Sequence, residues 1–186
     1  MARLGGTGAR RRARDARGEA ADALRSRADA LRARIATLSA IDSTLVSWVH
    51  GDLHVGQVLR SPAGLSIIDV DDDVSLPPAE RGVQLPPARD VAQMASSLDH
   101  VGRIADRRSD GTHGAAIDAW IDQARTGFLA AYVTALAEAG RSELLDERLL
   151  TALEAERVCR ELLYAARTLP RWMYAPLGTL RRMIPR

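Results

Sequence analysis

Four prolines fall within the thirteen residues "SLPPAERGVQLPP", positions 75–87. Proline lacks an amide hydrogen and disfavours helix in the residue before it, so no helix or central strand passes through such a stretch. It divides the chain into two patterns. Beyond it the periodicity is helical: "ARDVAQMASSLDHVGRIA" (88–105) puts Val91, Met94, Ala95, Leu98, Val101 and Ile104 on one face. A second helix is expected from about Ala115 to Ala139, with Trp120, Ile121, Phe128, Ala131, Tyr132 and Leu136, stopped by Gly140. A third runs from Ser142 to Leu169, with a break near Arg148, and ends before Pro170. The closing "PRWMYAPLGTLRRMIPR" reads as Pro-interrupted, anchored by Trp172 and Tyr174.

Upstream of the prolines the runs are short and β-prone. "LVSWVHG" (45–51) is an apolar strand candidate ended by Gly51. "QVLRSPAGLSIIDV" (57–70) reads as two strands around Ser61, Pro62, Ala63 and Gly64, with Ile67 and Ile68 as buried positions. Residues 1–9 read as a flexible start, and Arg10–Ser39 as one helix with Leu24, Leu31, Ile35 and Leu38 on a narrow stripe. The expected fold is α+β and mainly α, a small β-hairpin followed by a helical bundle. An Arg-rich helical segment, 1–43, precedes the body, 44–186.

Composition narrows the function classes. A chain of 186 residues with 46% hydrophobic and 27% charged residues has the material for a packed core. No apolar run has the length of a bilayer span, and the single Cys159 forms no internal disulfide; the expectation is a cytoplasmic protein without a membrane partner. All 26 basic residues are arginine, which excludes a Schiff-base lysine or a P-loop lysine within this chain. Residues 1–34 carry ten arginines against four acids, but no aromatic residue for base stacking and no reading motif. A solvated helix, rather than a specific nucleic-acid interface, is the expected reading.

The chemistry concentrates in "WVHGDLHVGQVLRSPAGLSIIDVDDD" (48–73). His50, Asp52 and His54 do not have zinc-site spacing, and no GxSxG marks a hydrolase nucleophile. Phosphoryl transfer suits the segment better: it needs a carboxylate to orient and deprotonate a hydroxyl, and oxygen ligands for magnesium near the phosphates. Asp52 follows an apolar run, Gln57 offers an amide oxygen, and Asp69 leaves a second apolar run at the same end of the expected hairpin.

"HGDLHVGQ…IIDVD" resembles the catalytic core of the aminoglycoside phosphotransferase branch of the protein-kinase-like fold. The resemblance implies a C-terminal lobe in which Asp52 is the catalytic base and Gln57 and Asp69 bind Mg2+, with ATP as co-substrate. Most members have asparagine where this chain has Gln57; "HGDLHxGQVL" is similar to bacterial maltokinases and their relatives. The helix beginning Arg89–Asp90 resembles theirs, with Asp90 bracing the catalytic loop and His50 supporting it. "CRELLYAARTLPRWMYAPL" (159–177) resembles the substrate-side helix of actinobacterial maltokinase-like sugar kinases, including glucosamine kinases. On that resemblance His54, Asp71, Arg160, Glu161 and Trp172 are candidates for contact with a sugar such as glucosamine or maltose. Each also has a plainer reading, as loop packing, solvated charge, helix ion pair or core aromatic. Nothing before residue 44 offers a nucleotide-holding sheet, so an N-terminal lobe is expected to be missing and the chain alone to have weak or no activity. The alternatives are a non-catalytic kinase-derived interaction module and an aminoglycoside-type small-molecule kinase.

Overall fold

The structure, a computed structural model, describes residues 6–70 and 82–185, with side chains from Arg14 onward. The first helices are α1 (Gly6–Arg25) and α2 (Ala28–Ala36), followed by a 3-10 turn at Thr37–Ala40. The single helix expected over 10–39 is therefore broken at Ser26 and Arg27. Ser26 Oγ donates to the Ala23 carbonyl at 3.1 Å, and the buried Arg27 sends Nε to the Ile184 carbonyl at 2.7 Å. A tertiary bond to the far end of the chain outweighs the local preference for continuing the helix.

The strand expected at 45–51 is reduced to one isolated bridge, Ser47 with Leu85. A strand must satisfy its amides on a neighbour, and among the described residues only Leu85 pairs with this run. Leu45, Val46 and Trp48 point outward, Trp48 being 72% exposed. The expected hairpin does form. β1 (Val58–Ser61) pairs antiparallel with β2 (Gly64–Ile67), in register from Val58–Ile67 to Ser61–Gly64, around Pro62 and Ala63. Ile67, expected to be buried, is exposed, and Ile68 is half-buried. No second layer covers this two-stranded sheet among the described residues, so its apolar side chains have nothing to pack against.

The bundle consists of α3 (Ala88–Arg108), α4 (Gly114–Glu138), α5 (Leu150–Arg167) and α6 (Tyr174–Met183). The expected break near Arg148 appears as two 3-10 turns, Ser142–Leu144 and Glu147–Leu149, the second capped by Asp146 accepting the Arg148 amide at 3.2 Å. α6 departs from expectation, because Pro176 sits in the helix's first turn, where a missing amide hydrogen loses no intrahelical bond. Met173, Leu177 and Leu180 anchor this end, while Trp172 stays exposed.

One apolar cluster joins Ala20, Ala23 and Leu31 of α1 and α2 to Ala155, Val158 and Leu162 of α5 and to Leu177 and Leu180 of α6. A second joins Ala88 and Ala92 of α3 to Leu149 and Leu153. Along α3, Val91, Met94 and Ala95 are buried, whereas Leu98, Val101 and Ile104 are half-buried. α4 seats only Ile121 fully, against Gly102 of α3; a Cβ at Gly102 would come within 2.4 Å of the Ile121 side chain. Trp120, expected on the inner face of α4, is exposed.

Candidate active site

The HGD loop is fastened to one face of α3. Asp90, in the first turn of that helix, accepts the His50 amide at 2.7 Å on one carboxylate oxygen and the Gly51 amide at 3.0 Å on the other. Gln93 continues the stripe, donating Nε2 to the Gly51 carbonyl at 2.8 Å and accepting the Leu53 amide at 3.2 Å. One turn further, Ser97 Oγ accepts the Val55 amide at 3.1 Å. Positions 90, 93 and 97 are helix neighbours. They give a backbone without regular structure its hydrogen-bond partners. Gly51 adopts φ 85°, a conformation glycine reaches at little cost.

His50 is buried and closes the loop from the other side. Its Nε2 donates to the Ile68 carbonyl at 2.8 Å, and its Nδ1 accepts the Asp52 amide at 3.4 Å, which fixes the tautomer with hydrogen on Nε2. His50 thereby links the HGD loop to the residue before Asp69. Burial, opposed by the two amide bonds and by nearby positive charge, pushes the Asp90 carboxyl above its ordinary value.

Asp52 reaches outward from this frame and is about a quarter exposed, with Oδ1 3.4 Å from a guanidinium nitrogen of Arg157 on α5. Gln57 ends a 3-10 turn at Val55–Gln57, and its carbonyl accepts the Ile68 amide at 3.0 Å. The hairpin register thus puts Gln57 opposite Ile68 with Asp69 next in line, both at the open end of the sheet. Asp69 is exposed and takes φ 52°, a left-handed conformation that aspartate tolerates better than most residues. An amide oxygen and a carboxylate are hard-oxygen donors of the kind that would suit Mg2+. Among the described residues no group of three or more His, Cys, Asp or Glu is arranged around a metal position.

The expected sugar contacts are more dispersed. His54 is used locally, its Nδ1 accepting the Gly56 amide at 3.0 Å. Arg160 donates to Glu156 at 2.9 and 2.5 Å. Glu161 is turned inward, accepting Arg157 Nε at 2.7 Å on one oxygen and lying 3.1 Å from His100 Nε2 on the other. Trp172 stacks on Tyr174 at 6.0 Å between centroids, and Arg107 covers the other ring at 4.3 Å. At a rise of about 1.5 Å per residue, Arg107 is roughly 20 Å along α3 from Gln93. Tyr174 also borders a groove of about 1340 Å³ lined by Arg103, Arg107 and Arg181, which includes none of Asp52, Gln57 or Asp69. Asp71 lies outside the described residues.

Gln93, Ser97 and Arg157 were absent from the sequence expectations. Gln93 and Ser97 carry a signal, polar residues at helical spacing on an otherwise buried face, which apolar periodicity overlooks.

No family model matches the chain. Comparison with known proteins nevertheless finds glucosamine kinases, to which the chain is similar over most of its length. It is 42% identical over 146 residues to a glucosamine kinase of Streptacidiphilus jiangxiensis, covering 78% of this chain and 33% of that protein. It is 43% identical over 136 residues to a glucosamine kinase of Mycolicibacterium smegmatis, covering 73% and 34%. A solved glucosamine kinase in complex with glucosamine, ADP and inorganic phosphate superposes with a TM-score of 0.83 at 38% identity, over 93% of this chain and 46% of that one. The chain spans about a third of the length of the curated relatives it matches.

Proposed function

We propose that residues 44–186 form the catalytic lobe of an ATP-dependent, cytoplasmic sugar kinase of the glucosamine kinase type, with residues 1–43 as its helical lead-in. The similarity to glucosamine kinases, over a stretch that includes the HGD loop, carries the reading. The kinase-like lobe architecture and a wider kinship with maltokinases and aminoglycoside phosphotransferases belong to the same proposal.

In this reading the Asp52 carboxylate accepts a hydrogen bond from the acceptor hydroxyl and takes its proton as the oxygen attacks the γ-phosphorus and ADP leaves. Gln57 and Asp69 would hold Mg2+, and the ion would supply charge neutralisation for the phosphate oxygens. His50, Asp90, Gln93 and Ser97 hold the loop without touching substrate. A nucleotide-binding lobe, contributed from outside these 186 residues, completes the enzyme. Its contact surface is the uncovered apolar set around the hairpin and the 45–48 run, which includes Trp48, Leu65, Ile67 and Val70. The relatives' additional length supports this assignment. For the same reason, the isolated chain is expected to self-associate and to bind ATP poorly.

The test is ADP release measured over glucosamine, maltose and an aminoglycoside. It is run with the 186-residue chain and with a chimera in which the chain replaces the matching stretch of the Streptacidiphilus enzyme. The chimera is expected to phosphorylate glucosamine with Mg2+, and Asp52→Asn to lower kcat by at least about a hundredfold. A well-folded chimera inactive on every acceptor rejects the kinase reading. Vigorous turnover by the short chain rejects the missing lobe.

A further inference from the structure

Asp52 receives one side-chain contact from the bundle that supporting the loop does not require. Among the described residues the guanidinium of Arg157 reaches two carboxylates: Nε donates to Glu161 at 2.7 Å, and a terminal nitrogen lies 3.4 Å from Asp52 Oδ1. Glu161 is one turn further along α5, and its second oxygen faces His100 of α3 at 3.1 Å, a charge contact rather than an aligned hydrogen bond. The side chains of Arg157, Glu161 and His100 are 18%, 16% and 23% exposed, so the row is mostly shielded from water. Burial alone would raise the Glu161 carboxyl, but His100 and Arg157 outweigh it and hold it below its ordinary value. It therefore stays ionised, as an anchor for a guanidinium must.

A free arginine side chain samples many rotamers, and fixing it costs conformational entropy. Here the anchor one turn away restricts that freedom whether or not Asp52 is engaged. A carboxylate acting as base needs one oxygen directed at the hydroxyl, and free rotation about its last bond would leave that to chance.

We propose that Arg157 is the positioning residue of the catalytic aspartate. By holding Oδ1, it leaves Oδ2 as the oxygen that accepts the hydroxyl proton, and the Glu161–His100 pair keeps the guanidinium in place. This rests on the kinase reading above. The proton passes from the sugar hydroxyl to Asp52 as the new oxygen–phosphorus bond forms and the bond to ADP breaks; Arg157 remains protonated throughout. Arg160, the neighbouring arginine that the sequence favoured, pairs with Glu156 instead.

The experiment compares Arg157→Met and Arg157→Lys in the active chimera, measuring kcat and both KM values. It also follows the Arg157 Nη–H NMR signal in the 186-residue chain with and without Asp52→Asn. Misorientation of a reacting group is worth up to about a hundredfold. Arg157→Met is expected to lower kcat ten- to a hundredfold with both KM values within about twofold, and Arg157→Lys to recover part of the loss. The arginine signal is expected to shift on Asp52→Asn. If the methionine variant does not fold, the lysine variant and the NMR shift decide. An active parent with kcat unchanged in both variants, a loss confined to KM, or an arginine signal indifferent to Asp52→Asn overturns the proposal alone. A parent inactive on every sugar overturns the kinase reading, and this proposal with it.

Discussion

Asp90 and Asp99 lie on the same helix, nine residues apart, and both carboxylates take two donors, but the donors are of different kinds. Asp90 accepts backbone amides of the HGD loop, at 2.7 and 3.0 Å. Asp99, fully buried, takes side-chain guanidinia: Arg103 at 3.4 Å and Arg182 at 2.7 Å, and these extend to Asp118 and Asp122 of α4. One end of α3 therefore shapes a loop, whereas the other ties three helices together. A carboxylate spent on backbone amides fixes a conformation that has no other support; one spent on arginines joins elements that already exist.

Removing Asp99 should have the largest effect on stability. Asp99→Ala leaves two guanidinia without their buried partner and is expected to cost about 3–5 kcal/mol, seen as a fall in Tm of roughly 2–4 °C per kcal/mol. Loop amide exchange should be unchanged relative to global unfolding. Gly102→Ala probes the same end through sterics: its new methyl meets Ile121, and a loss of about 1–3 kcal/mol is expected in denaturant melts. Asp90→Asn should cost only about 1 kcal/mol, since one acceptor oxygen remains. Its mark is local, faster hydrogen exchange at His50 or Gly51; uniform exchange along α3 would dissolve the contrast between the two ends.

Acid sharpens the comparison further. Glu161's carboxyl is held below its ordinary value of 4.5, so the stability it contributes is present above that value and lost as pH falls through its lowered folded value. The Tm difference between the parent and Glu161→Gln should accordingly narrow below about pH 4.5. The smallest effect belongs to the hairpin, where Leu65→Thr on an uncovered face is expected to change the stability of the isolated chain by less than about 0.5 kcal/mol.

What the sequence made legible follows from which forces are local. The turn at Pro62 and Ala63, the start of α3 after Pro87 and the break before α5 depend on residues that restrict their own backbone, and each was visible. The run at 45–51 has the composition of a strand but finds, among the described residues, only Leu85 as a bridge partner, and composition carries no information about partners. The break at Ser26 and Arg27 depends on Ile184, at the other end of the chain. Asp52, Gln57 and Asp69 could be proposed from the sequence because a motif carries them. The polar stripe of Gln93 and Ser97 was hidden beneath an apolar periodicity that counts only Val91, Met94 and Ala95. Arg157 had no signal apart from Glu161, itself assigned to the sugar.

The loop's bonds to α3 cross 39 to 42 residues, and its contact with Arg157 crosses 105. The hairpin, by contrast, closes on itself within a few residues. On a ribosome, then, β1 and β2 have emerged and can pair while the His50, Gly51, Leu53 and Val55 amides of the HGD segment still lack their acceptors. That segment stays solvated until residue 97 has emerged, and Asp52 meets its guanidinium only after most of α5 has been made. The residue on which the proposed chemistry turns is synthesised 105 residues before the arginine proposed to position it.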